Sequence, residues 1–117
     1  MEIKLKQYVI IPKRPRMSTG KIASQVAHAT FMALENQTDG QLIEEWKNSG
    51  MCVIVLQCKN SAQLMGIAKY LEQWDVPHNL YIDEGLTEVE MGTATALATG
   101  VVPEEFHWMF SQLKLYK

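Results

Sequence analysis

The sequence predicts an α/β fold of three layers: a four-stranded mixed sheet flanked by helices on both faces. Two observations carry this reading. Short apolar runs alternate along the chain with longer segments whose apolar residues recur at helical spacing. The resulting order, βα(α)βαββα, is that of a layered α/β domain whose crossovers, from strand one to two and from two to three, are parallel and right-handed. With 117 residues and no internal repeat or linker, the chain reads as one domain spanning 1–117.

Gln7–Ile11 is an apolar first strand, ended by Pro12 and Pro15 in a basic loop. The first helix follows and runs to about Asn36. Its barrel carries Ile22, Ala23, Val26, Ala27, Ala29, Phe31, Ala33 and Leu34, so burial on nearly all sides is expected. Leu42–Lys47 is a short amphipathic turn or helix bearing Trp46. Met51–Cys58 has an unbroken apolar heart, Val53–Leu56, and reads as a central strand buried on both faces. Asn60 with Gln63 resembles a capping box, opening a helix that lines up Leu64, Ile67, Ala68 and Leu71. Val76–Asp83 is a third strand, entered through Pro77, and Thr93–Thr99 is a fourth. Alternation puts Thr93, Thr95, Leu97 and Thr99 on one face of that strand and Ala94, Ala96 and Ala98 on the other. Pro103 starts a last helix, with Phe106, Met109, Phe110 and Leu113 facing the core.

Composition narrows the function. No apolar run approaches the length of a membrane span, and the N-terminal residues read as no signal peptide. Cys52 and Cys58 bracket one strand, which holds them roughly 20 Å apart, too far to pair. They read as thiols in a reducing compartment, the cytoplasm. No His/Cys spacing suggests zinc. Charge is uneven: residues 1–21 carry six Lys and Arg against Glu2, a local charge of +5, while the remaining 96 residues carry −7. A basic flank on an acidic body suits a local polyanion contact, and a solubilising flank is the alternative.

Within the first helix, Lys21, Gln25 and His28 recur at i, i+4 and i+7 and share one narrow stripe. Gly20 puts Lys21 at the helix start, where free N–H groups favour anions. A phosphate loop is excluded, because Pro15 and Ile22 stand where it needs Gly and Ser or Thr. The alternative for the stripe is a solvated face, and for His28 a structural histidine. The second constellation follows the third strand: Asp83, Gly85 and Thr87, then Thr95. If strands one and three are parallel neighbours, their carboxyl ends bring Asp83 and Thr87 to the Lys21/Gln25 stripe. A lysine, a carboxylate and hydroxyls suit attack of water on an activated ester. In that chemistry Asp83 orients or deprotonates the water and Lys21 offsets oxyanion charge. A turn-forming Asp83 and a solvated Thr87 are the bland readings.

These residues carry a resemblance. Met17-Ser18-x-Gly20-Lys21-Ile22-Ala23-Ser24-Gln25-x-Ala27-His28-Ala29 resembles the first-helix signature of the type II peptidyl-tRNA hydrolase family, the archaeal and eukaryotic kind. Asp83-x-Gly85-x-Thr87 followed by Gly92-Thr93-x-Thr95-x-Leu97 is similar to its second motif, and Leu113-Lys114-Leu115-Tyr116 to its ending. The resemblance implies a compact α/β domain, often dimeric. It implies cofactor-free cleavage of the ester joining a peptide to tRNA, with Lys21, Asp83 and Thr87 in catalysis. Gln25, His28 and Thr95 then bind substrate, and the basic loop's own charge, not the resemblance, adds Arg14 and Arg16 to them. The chain departs from the family pattern where Pro12-Lys13-Arg14-Pro15-Arg16 stands in place of an Arg-x-Asp-Leu run, and where Leu86 replaces Arg, Glu88 replaces Gln and Met91 replaces Pro, so that Glu84, Glu88 and Glu90 stand beside Asp83. The extra carboxylates leave two alternatives open: a hydrolase of this fold with a non-RNA substrate, and a non-catalytic module that binds RNA or protein.

Overall fold

From Gln7 to Pro12 every residue of the first strand is buried, and the architecture is built around it. The computed structural model describes residues 3–85 and 88–117, so Leu86 and Thr87, like Met1 and Glu2, lie outside the described residues. β1 (Leu5–Pro12) leads to α1 (Thr19–Asn36), α2 (Gly40–Asn48), β2 (Val53–Cys58), α3 (Ser61–Gln73), β3 (His78–Ile82) and β4 (Ala94–Pro103). A 3-10 helix at Glu104–Phe110 and β5 (Lys114–Leu115) follow.

The strands form one mixed sheet in the order β3-β4-β1-β2-β5. β1 and β2 pair in parallel, whereas β4 is antiparallel to both β1 and β3, and β5 is antiparallel to β2. The expected α/β class and mixed sheet are therefore present, but the sheet has five strands rather than four. β1 and β3 run the same way without being neighbours, because β4 lies between them. Their carboxyl ends still share one end of the sheet.

Alternation along β1 divides the core. Tyr8 and Ile10 pack with Leu64, Ala68 and Leu71 of α3, with Leu97, and with Phe110. Val9 and Ile11 pack on the other face with Ala29 and Ala33 of α1 and with Ala96 and Ala98. The α3 N-terminus is capped as expected: the Asn60 side chain accepts from Gln63 N–H at 2.9 Å.

Three local expectations are corrected. α1 is not buried all round: Gln25, Ala29 and Ala33 are its buried residues, while Phe31 is 63% exposed. One side of the helix meets the sheet, with Ile22 and Val26 half-buried beside the buried ridge, while the exposed Ala23 and Ala27 serve helix propensity rather than packing. β2 is not the doubly buried centre, since Val53 is 40% exposed and only a two-residue β5 covers its outer side. The last helix is 3-10 rather than α, with Pro103 as its N-cap. Phe106, Met109 and Phe110 still face the core, because an i, i+3 spacing serves either helix over two turns.

Candidate active site

Lys21, Gln25, Ala29 and Ala33 lie on one line of α1, each four residues after the last, so the polar pair heads the ridge that meets the sheet. That excludes a solvated face for Lys21 and Gln25. Gln25 is 1% exposed, and the Lys21 side chain only 11%.

Both reach Asp83, which lies one residue beyond β3. Lys21 Nζ donates to Asp83 Oδ2 at 2.7 Å, and Gln25 Nε2 donates to the same oxygen at 2.8 Å. Gln25 Nε2 also lies 2.6 Å from Thr95 Oγ1, which accepts from it. The second carboxylate oxygen, Oδ1, accepts from Gly85 N–H at 2.7 Å. Gly85 has φ +76°, and a Cβ there would stand 2.4 Å from Met91 N, so the turn that aims this N–H admits only glycine.

Thr95 arrives by an irregularity. The β3–β4 register passes from Tyr81↔Ala96 to Ile82↔Ala94, leaving Thr95 as the extra residue of a bulge. Ala94 and Leu97 therefore face the α3 side, Ala96 and Ala98 face α1, and the Thr95 hydroxyl turns toward Gln25. Strict alternation had placed Thr95 with Leu97.

The electrostatics follow from these contacts. The Lys21 hydrogen bond holds the Asp83 carboxyl below the usual carboxylate range, against the upward push of burial and with help from the Gly85 and Gln25 donors. The pair is thus an ammonium beside a carboxylate, both withdrawn from water. Desolvation offsets most of the attraction in such a pair, so stability alone is a poor reason for it.

His28 sits one turn on and is exposed. Its ring stacks on Tyr81, with centroids 4.9 Å apart and planes 6° from parallel, so it is neither a core histidine nor a partner of Asp83. Arg14 and Arg16 are exposed and line a cavity of about 270 Å3 with Lys13, Met17 and Tyr116. Among the described residues no hydrogen bond or ion pair joins them to Lys21 or Asp83. Lys13 Nζ lies 4.5 Å from the Tyr116 ring centroid. No cluster of three or more His, Cys, Asp or Glu among the described residues is arranged to hold a metal ion.

Two residues of this region, noted in the sequence only as parts of motifs, meet in a contact that the sequence does not show. Ser18 is the N-cap of α1, and the Glu88 carboxylate accepts from both its N–H, at 2.7 Å, and its hydroxyl. Ser before a helix is a readable cap signal. A partner 70 residues away is not.

A solved structure of a protein of unknown function from Agrobacterium tumefaciens superposes with a TM-score of 0.61 at 11% identity, covering 99% of this chain and all of that one, a likeness of fold alone. The protein named peptidyl-tRNA hydrolase in Methanopyrus kandleri is 38% identical over 101 residues, covering 86% of this chain and 87% of the relative. Its namesake in Haloquadratum walsbyi is 36% identical, covering 86% and 89%. The family model described as Peptidyl-tRNA hydrolase PTH2 matches residues 5–116. The chain belongs to that peptidyl-tRNA hydrolase family.

Proposed function

We propose that this chain, working as a single domain, hydrolyses the ester between the peptide and the ribose of peptidyl-tRNA, with water as nucleophile and no cofactor. One observation carries the reading: a lysine ammonium held 2.7 Å from a carboxylate at the end of the sheet where β1 and β3 deliver their loops. Water adds to the ester carbonyl carbon, and the carbonyl oxygen becomes an oxyanion. The C–O bond to the ribose then breaks, giving a peptide carboxylate and a ribose hydroxyl that takes one proton of the attacking water, while the other passes to solvent. Lys21 stabilises the oxyanion, worth about 10²–10³ in rate for a single well-placed donor. Asp83 aims that ammonium. With one oxygen on Lys21 and Gln25 and the other on Gly85, and with its proton affinity lowered, it is an orienting group rather than the base that activates water. Thr87, which lies outside the described residues, is the catalytic hydroxyl carried by the loop after Gly85.

Gln25 and Thr95, at 1% and 0% exposure, position Asp83 instead of touching substrate. His28, exposed on Tyr81, offers an aromatic surface to a base or ribose near the ester. Lys13, Arg14 and Arg16 receive phosphates at the same end of the sheet. The free thiols Cys52 and Cys58 fit the cytoplasm, and no helix among the described residues is long and apolar enough to cross a membrane. A homodimer completes the reading. The outer edge of β3, with Ile82 43% exposed, adjoins Met32 of α1 through Asn79 and offers an isologous face. Release of peptide from purified peptidyl-tRNA tests the proposal. Wild type should release it, Asp83→Asn should do so more slowly by up to about 10²–10³, and an inert wild type overturns the activity.

A further inference from the structure

The loop between β3 and β4 is closed at its base by backbone. Asp83 N–H donates to Thr93 O at 2.8 Å, and Gly92 N–H donates to Asp83 O at 2.9 Å. Gly85 meets Met91 so closely that a side chain would not fit between the limbs. Farther out, the Val89 side chain is packed down, at 8% exposure. Beside it Glu88 crosses to α1, where Oε1 accepts from Ser18 N–H and Oε2 from Ser18 Oγ. The same Ser18 Oγ accepts from Lys21 N–H at 3.2 Å. One serine thus joins the Glu88 carboxylate to the turn that carries Lys21, and the loop so tied is the one rooted at Asp83. Charge-assisted bonds to a helix N-terminus are short and favourable, since the carboxylate meets donors that have no partner within the helix.

We propose that Glu88 is a positioning residue for the hydrolysis: it fastens the loop after Asp83 to the N-cap of α1 and so fixes where that loop stands relative to the Lys21 ammonium. Its carboxylate bonds Ser18, not Lys21 or Asp83, so it acts through the loop and not on the substrate. The kinetic consequence rests on the hydrolase reading, while the tie itself rests on geometry alone.

Two measurements on the full chain, run with Glu88→Ala, Glu88→Gln, Ser18→Ala and the Ser18→Ala/Glu88→Ala double variant, separate the two. In Glu88→Ala, hydrogen exchange at the Gly85 and Gly92 amides should quicken about tenfold, with the helix amides of α3 unchanged. Peptide release should lose about tenfold in kcat with KM within about twofold, the signature of misplacement and not of lost binding. Glu88→Gln keeps an acceptor for one Ser18 donor and should recover about a third or more of kcat. The double variant should be no slower than Glu88→Ala alone, because both act through one contact. Wild-type exchange in Glu88→Ala overturns the tie. Wild-type kcat, a loss confined to KM, or full additivity with Ser18→Ala overturns the positioning role. If wild type releases no peptide, the hydrolase reading fails, and the exchange result alone decides the tie.

Discussion

Two helices pack on one sheet here, and they do so with different chemistry. Against Tyr8, Ile10 and Leu97, α3 sets Leu64, Ala68 and Leu71, an apolar seam throughout. Against Val9, Ile11, Ala96 and Ala98, α1 sets Ala29 and Ala33, and then, on the same ridge, Gln25 and Lys21. The α3 seam stabilises by area, at about 1.5–3 kcal/mol for each large aliphatic side chain buried. The α1 seam gives up area for nearness: alanines on both sides let helix and sheet approach until an amide and an ammonium reach Asp83 and Thr95. One face holds the fold together, and the other holds the polar groups within reach of each other.

That contrast can be broken most decisively at Lys21. Lys21→Ala should lower kcat for peptide release by about 10²–10³. The fold should persist, since Gln25 and the Gly85 amide still satisfy the carboxylate. Steady-state kinetics alongside a thermal melt would read both halves. Leu64→Ala, on the other face, should do the reverse. It is expected to cost about 2–5 kcal/mol of stability in a urea titration, with activity per folded molecule unchanged. A comparable loss of kcat in folded Leu64→Ala would erase the distinction between the seams.

Smaller effects sharpen it. Ala33→Leu forces α1 away from Ala96 and Ala98 and should cost about 1–3 kcal/mol by overpacking. Because the displacement is transmitted along the ridge to Gln25 and Lys21, kcat should fall as well, which a matched overpacking of Ala68 in the α3 seam should not cause. The smallest effect is in pH. The Asp83 carboxyl is held below its ordinary range in the folded chain, so its contribution is complete above about pH 4, where the unfolded chain is also ionised. It is lost as pH falls through the depressed value. The stability difference between wild type and Asp83→Asn should therefore shrink on acidification, and a difference that grew would contradict the assigned ion pair.

Much of this was legible in the sequence, and what was not has physical reasons. The span of α1 and the cap of α3 follow from local signals, a serine and an asparagine placed before regular apolar spacing. Lys21 and Gln25 were legible as site candidates because polar residues on an otherwise apolar helix need partners, and Asp83 because it follows the carboxyl end of a strand. Thr95 was legible by type but not by direction, since the bulge that turns it toward Gln25 leaves no trace in the alternation of Ala94, Ala96 and Ala98. β5 escaped because Lys114 and Leu115 have no strand period of their own and pair only through Gln57 and Leu56. The Glu88–Ser18 contact escaped for the same reason: it is made by tertiary closure and not by local pattern.

The central claim is that Lys21 and Asp83 act as one unit on the ester. A double-mutant cycle of peptide release from peptidyl-tRNA, with Lys21→Ala, Asp83→Asn and the pair, measures this directly. If Asp83 works by holding the ammonium, the double variant should be about as slow as Lys21→Ala alone, since little remains for the second change to remove. Losses that multiply in full would mean that the two residues act separately, and would contradict the account.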